Sequence, residues 1–234
     1  MNKKPLKEAS LNVQELEKIH HYIRKLARPA YGEKLKIIAI TKTCSYKAIE
    51  EAYKNGIRDI GENRIQELEE KIANKKLPKE LNIHLVGHLQ TNKAKKAVRV
   101  CDYIQSIDSL KIAKAVNTEA YKINVTQKIY LQINIGEDPN KYGFTFKEIF
   151  KASNEINQMT HLQVCGIMTI LPQTSDQTHI KALYNATKRV SKRLLEKNRR
   201  CKQISMGMSN DYHIAIECGA TNIRIGTRLF GKRK

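Results

Sequence analysis

Lys42 closes an isoleucine-rich run, IIAITKT, where an amine can act as a nucleophile. The stretch KIIAIT at 36–41 is too short for a helix of ordinary length and reads as a strand buried on both faces. An amine at the end of such a strand is partly desolvated. That lowers its pKa and suits condensation with an aldehyde to an aldimine. Alone, a lysine just after a strand is more often a surface cation. Two late segments change the balance: SMGMSND at 205–211 and RIGTRLFG at 224–231 each combine a glycine with a hydroxyl residue beside a helix start. Ser209 falls at the start of one helix, and Gly226 and Thr227 at the start of another. Backbone N–H groups at a helix N-terminus suit a phosphate dianion. The plainer readings are an ordinary helix cap for Ser209 and a turn glycine for Gly226. Arg224 stands two residues before Gly226, on the same side of its strand. A guanidinium donates hydrogen bonds and accepts none, so opposite a ring nitrogen it leaves that nitrogen unprotonated. The alternative is a barrel-interior arginine paired with a carboxylate.

These residues need a scaffold that collects strand ends. Residues 12–27 carry Val13, Leu16, Ile19, Tyr22, Ile23 and Leu26 at helical spacing, with Asn12 as a cap. After the strand at 36–41, SYKAIEEAYKNG reads as a helix ending at Gly56, and the pattern repeats. Further strands are predicted at 57–61, 82–87, 102–107, 128–135, 163–170, 203–207 and 222–226, with helices around 63–75, 91–100, 109–121, 145–157, 177–197 and 210–218. Eight strands alternating strictly with helices predict an α/β fold, a single (β/α)8 TIM-type barrel. Only TRLFGKRK follows the last strand, room for barely one turn, so the N-terminal helix is expected to fill the vacant place in the outer ring. The organisation is then one structural domain: a helical segment, 1–34, packed on a barrel, 35–234. The rival, a doubly wound open sheet, leaves unexplained why Lys42, His84, Ser106, Met168 and Arg224 all fall at or near C-terminal strand ends.

Composition narrows the function classes. Of 234 residues, 41% are hydrophobic, enough for a large core, yet no apolar run approaches the length of a membrane-spanning helix. The charged opening segment has no apolar stretch leading to a small-residue cleavage site, so a cytoplasmic protein is expected. The five cysteines are widely spaced with no CxxC pair, which predicts neither a zinc site nor a disulfide framework. Cys44 lies near Lys42, but no base is identifiable beside it, and an unexceptional thiol is the simpler reading. The net charge of +20 attracts phosphates. It is spread over separate segments, KIANKKLPKE, TNKAKKAVR, KRVSKRLLEKNRRCK and GKRK, that read as solvated helix faces. Without Trp, and without any RNA-module spacing, no dedicated nucleic-acid site is expected.

IAITKT, GIRDIGENRIQE, IHLVGHLQTNKAK, IQSIDSL, LQINIGEDPNKYG, CGIMTI and ISMGMSNDYHIAIECGATNIRIGTRLFG, in this order, closely resemble the YggS/PROSC family, the pyridoxal phosphate homeostasis proteins. The likeness spans about residues 35–231. It implies pyridoxal 5'-phosphate bound covalently, with Lys42 at the aldimine position. Ser209, Gly226 and Thr227 then match the phosphate anchors, and Arg224 the arginine facing the pyridine nitrogen. Asn63 in GEN, His84, Ser106 and Met168 match positions lining the cofactor mouth, Asn63 toward the ring hydroxyl and Met168 near the ring. Their plainer readings are a helix cap, a satisfied interior imidazole, a strand-end turn residue and core. Arg64, after GEN, departs from the aromatic common in the family.

The same resemblance links the fold to the N-terminal barrel of alanine racemases, which add a β-domain and an opposing tyrosine. Racemisation needs proton transfer on both faces of a carbon, and only Lys42 is evident here. The expected function is therefore binding and intracellular homeostasis of the cofactor, for sequestration or delivery to pyridoxal-phosphate-dependent apoenzymes, by a monomer without established turnover. The alternatives are a pyridoxal-phosphate-dependent racemase or lyase and, further off, a basic RNA-associated protein.

Overall fold

Asn12 accepts a hydrogen bond from the Glu15 amide at 3.1 Å and so caps α1 (Val13–Leu26), which turns Leu16 and Ile19 into the core. In this computed structural model, which describes residues 6–232, the chain then enters the strands β1 (Lys36–Ile40), β2 (Asp59–Glu62), β3 (Asn82–Leu85), β4 (Tyr103–Ile107), β5 (Gln127–Ile133), β6 (Leu162–Thr169), β7 (Gln203–Ser205) and β8 (Asn222–Ile225). All pair in parallel in chain order, and β8 returns to β1 to close the barrel. The open-sheet alternative is thereby excluded. The helices between them are α2 (Tyr46–Lys54), α3 (Ile65–Ile72), α4 (Ala94–Val100), α5 (Leu110–Lys122), α6 (Glu148–Ile156), α7 (Gln177–Lys197) and α8 (Tyr212–Glu217); α9 (Thr227–Phe230) is a single turn.

The N-terminal helix stands beside that last turn. The Asn12 amide donates to the Leu229 carbonyl at 2.8 Å, and Arg228 pairs with Glu15 at 3.0 Å. The first five residues and the last two of the basic GKRK tail lie outside the described residues. Among those described, no helix is long and apolar enough to cross a membrane. Lys75, Lys76, Lys95, Lys96, Lys192 and Arg193, from the basic segments, are exposed.

Strand residues alternate between two cores. One face, including Ile37, Ala39, Ile60, Ile83 and Ile104, packs against the helices. Inside the barrel the apolar side chains form two separate groups: Ile38, Ile40 and Val86 in one, Tyr130, Cys165 and Met168 in the other. Polar residues fill the space between, and the site is built on them. A bulge in β4 shifts its register against β5 between Ile104 and Ile107. Both isoleucines stay in the helix-facing core, with two residues, Gln105 and Ser106, between them.

Candidate functional site

A cleft of about 1250 Å³ opens among the loops beyond the strands' C-terminal ends. Lys42, Asn63, Ser209, Arg224, Gly226 and Thr227 all line it. Lys42 and Ser209, 167 positions apart, line one cleft because β8 pairs with β1. Asn63 follows β2 directly, and its backbone is met by Gly87. A Cβ on Gly87 would lie 2.2 Å from the Asn63 carbonyl oxygen, so only glycine fits there. The helix after Asn63 is preceded by Arg64, without a side-chain cap bond.

The loop from β7 to α8 turns through Gly207 at φ +89°, a left-handed conformation natural to glycine. Sequence reasoning put Ser209 at the start of the next helix, but that helix begins at Tyr212, with Asp211 as the preceding cap residue. Asp211 closes the turn instead: one carboxylate oxygen accepts from the Met208 amide at 2.6 Å and the other from the Tyr184 hydroxyl at 2.8 Å. Ser209 is thus left to join the two late loops. Its Oγ accepts from the Gly226 amide at 3.3 Å, leaving the hydroxyl's own proton as a donor for a third group. Beyond Gly226, the first amides of α9 have no carbonyl partner within the helix.

Arg224 reaches the cleft floor from β8 and is almost fully buried. Its Nη1 donates to Ser205 Oγ and its Nη2 to the Thr169 carbonyl, both at 2.7 Å. Burial pulls the guanidinium below its usual value, opposed by Tyr184 and Asp211. The partners are a hydroxyl and a carbonyl; among the described residues no carboxylate makes the direct pairing considered from sequence. Ser205 Oγ continues to Gln105 Oε1 at 2.7 Å, Gln105 Nε2 to His84 Nδ1 at 2.9 Å, and His84 Nε2 to Asp59 Oδ1 at 2.9 Å.

Chemistry fixes the direction of this chain. A guanidinium only donates, so Ser205 accepts from it and passes its own proton to Gln105 Oε1. The Gln105 amide nitrogen then donates to His84 Nδ1, and the imidazole keeps its single proton on Nε2 for the Asp59 carboxylate, which only accepts. Both ends demand the same polarity. Burial lowers the His84 pKa, with Asp59 opposing, in keeping with the neutral ring.

His84, Ser106 and Met168 therefore lie inside the barrel rather than on the cleft wall. His84 reaches the site through Gln105 and Ser205. Met168 is fully buried with Tyr130 and Cys165. Ser106 sits at the β4 bulge, and its Oγ is buried without a protein partner among the described residues, the kind of group that a ligand or water satisfies. Cys44 lines the cleft too, but burial pushes its thiol up, with Lys71 opposing, which leaves it a poor nucleophile.

Several residues were not picked out from sequence. Asp59, Gln105 and Ser205 complete the chain. On the rim, His88 Nδ1 lies 2.7 Å from Asp108, and its ring stacks on exposed Tyr142 with centroids 3.7 Å apart. The polar pair inside IQSI and the two histidines four apart in HLVGH were the available signals.

The arrangement offers an amine, a donor-only cation and a cradle of amides and hydroxyls in one water-accessible cleft. A family model described as "Alanine racemase, N-terminal domain" matches residues 14–234. A protein of Synechocystis sp. named "Pyridoxal phosphate homeostasis protein" is 38% identical over 200 residues, 85% of this chain and 92% of that protein. One of the same name from Aquifex aeolicus is 34% identical over 228 residues, 94% of this chain and 98% of that protein. PipY of Synechococcus elongatus PCC7942, solved without PLP, superposes with a TM-score of 0.84 at 34% identity, covering 93% of this chain and 99% of that one. Its PLP-bound form gives 0.81 at 33% identity over the same shares.

Proposed function

The chain belongs to the family of pyridoxal phosphate homeostasis proteins, and on that premise we propose that it binds pyridoxal 5'-phosphate in the cleft at Lys42 and takes part in its intracellular supply. The observation that carries the reading is the convergence of Lys42, Arg224 and the Ser209–Gly226–Thr227 cradle on one cleft. Their chemistry fits the group at three points. The Lys42 amine holds the aldehyde carbon through a reversible covalent link. The Ser209 hydroxyl and the amides at the start of α9 hold the phosphate through charge-assisted hydrogen bonds. Arg224 faces the ring nitrogen and, having no lone pair to offer, leaves it unprotonated. Asn63 reaches the ring hydroxyl, while Ser106 and Met168 belong to the floor and His84 acts through the chain to Arg224.

When bound, the cofactor supplies an aldehyde and a ring whose electron-withdrawing power depends on protonation of its nitrogen. Opposite Arg224 that power is weak, which favours holding the group over turnover. The relatives are likewise named for homeostasis rather than for a reaction. In this reading the protein acts in the cytoplasm, as a monomer, sequestering a reactive aldehyde or passing it to apoenzymes that need it.

Borohydride reduction of the protein mixed with pyridoxal 5'-phosphate, followed by peptide mass analysis, tests the reading. The adduct is expected on the peptide containing Lys42. Lys7 and Lys141 also line the cleft, and an adduct on either would displace Lys42 from the assigned role.

A further inference from the structure

The turn carrying Lys42 rests on buried charges. Lys71 of α3 and Glu62 at the end of β2 form an ion pair with both side chains fully buried. The Lys71 ammonium also donates to the Thr41 carbonyl at 2.8 Å, and the Thr41 hydroxyl donates to Glu62 Oε1 at 2.5 Å. On the other side, the Thr43 amide donates to Glu67 Oε1, itself 3.5 Å from Lys71 Nζ. The Thr41 carbonyl belongs to the peptide before Lys42, and the Thr43 amide to the peptide after it. Both peptide planes flanking the Lys42 Cα are thus held by one cluster.

The backbone there needs holding. Thr43 lies at φ +65°, a left-handed conformation that a β-branched residue adopts only when its surroundings impose it. The ion pair is also an awkward source of stability, since desolvating two charges offsets much of their attraction. Glu62 Oε2 has no partner among the described residues, and burial pushes that carboxyl up despite Lys71 and Thr41. Replacing such a pair by apolar side chains is often neutral for stability, so its presence beside Lys42 calls for another reason.

We propose that Glu62, Glu67 and Lys71 are positioning residues for Lys42, imposing a strained turn that aims its amine at the incoming aldehyde. The proposal rests on the reading that Lys42 is the covalent attachment point. None of the three is among the residues lining the cleft; they act through the two peptides.

Glu67 is partly exposed, so Glu67→Ala removes the Thr43 contact without opening the core. Three proteins are compared: wild type, Glu67→Ala, and Glu67→Ala with Thr43→Gly, in which glycine takes the positive φ without strain. Stopped-flow absorbance gives the rate of covalent attachment of pyridoxal 5'-phosphate. Equilibrium titration with pyridoxine 5'-phosphate, which has the ring and phosphate but no aldehyde, gives the affinity of the cradle alone. Glu67→Ala should slow attachment on the order of 10-fold, within the range expected for misplacing a reacting group, with the titration changed by less than about twofold. Thr43→Gly should restore most of the rate. A double replacement of the buried pair, Glu62→Gln with Lys71→Met, should slow attachment in the same selective way if it folds.

Unchanged attachment in Glu67→Ala overturns the proposal, as does loss of both attachment and analogue binding, or failure of Thr43→Gly to rescue. Wild-type protein that binds the analogue but forms no link at Lys42 overturns the attachment reading itself, and the positioning role with it.

Discussion

As the pH falls from about 6.5 toward about 5, the protein should lose stability through His84 alone, at no more than about 1.4 kcal/mol per pH unit. The imidazole is buried, accepts from Gln105 at Nδ1 and donates to Asp59 at Nε2. A second proton at Nδ1 would meet the Gln105 amide nitrogen 2.9 Å away, itself a donor, and could be accommodated only by reversing Gln105 and with it the bond from Ser205. Burial accordingly holds the folded pKa below the ordinary 6.5, with Asp59 pulling the other way. As the pH falls through the unfolded value, the unfolded chain takes up a proton that the folded protein does not. Stability is therefore complete above about pH 6.5 and lost below it, at no more than about 1.4 kcal/mol per pH unit until the folded pKa is reached. Urea denaturation of wild type and His84→Gln at constant ionic strength isolates this contribution, because carboxylates and His20, whose pKa burial and Arg24 also lower, titrate in both proteins. The variant should be the less stable near neutral pH, and its deficit should shrink on acidification. A deficit that stays constant across this range would refute the argument. So would a nitrogen NMR spectrum placing the His84 proton on Nδ1.

Gln105→Leu should cost about 2–6 kcal/mol in the same assay, because it strands two buried groups, His84 Nδ1 and the Ser205 hydroxyl, at about 1–3 kcal/mol each. Lys42→Ala should abolish the absorption band of the covalent link yet keep a measurable preference for pyridoxal 5'-phosphate over pyridoxal, read by equilibrium titration. Ser209→Ala with Thr227→Ala should erode that preference, by roughly tenfold for about 1.4 kcal/mol of lost hydrogen bonding, without erasing it, since backbone donors and Arg224 remain. Equal affinity of wild type for the two ligands would remove the phosphate cradle from the account. Chiral chromatography should find alanine racemisation far below the roughly 1–10³ per second of dedicated enzymes; a rate in that range would displace the holding role.

The barrel itself is legible in the amino-acid sequence. Short isoleucine-rich runs alternating with amphipathic stretches specify strands and helices locally, and the helix at 177–197 runs as Gln177–Lys197. Ends were less legible. The stretch read as 91–100 opens with a 3-10 turn at Thr91–Lys93 before α4, and the helix read from 145 starts at Glu148. Such boundaries depend on caps and neighbours rather than on periodicity. Strand-end placement also brought Lys42, Arg224 and the two late loops forward as a group, because closing a parallel barrel gathers every strand's C-terminal end on one face.

What the chain alone could not reveal is which polar side chains meet across that barrel. Asp59, His84, Gln105, Ser205 and Arg224 come from β2, β3, β4, β7 and β8, and their order as donors and acceptors exists only once closure sets the register. Lys71, within EEKI of α3, has the look of a solvated helix cation, yet it lies fully buried beneath the Lys42 turn. Periodicity reports which face of an element is apolar. It carries no information on a hydrogen bond between residues 100 positions apart, such as Ser205 and Gln105, because that contact depends on the relative placement of strands, which only the folded barrel fixes.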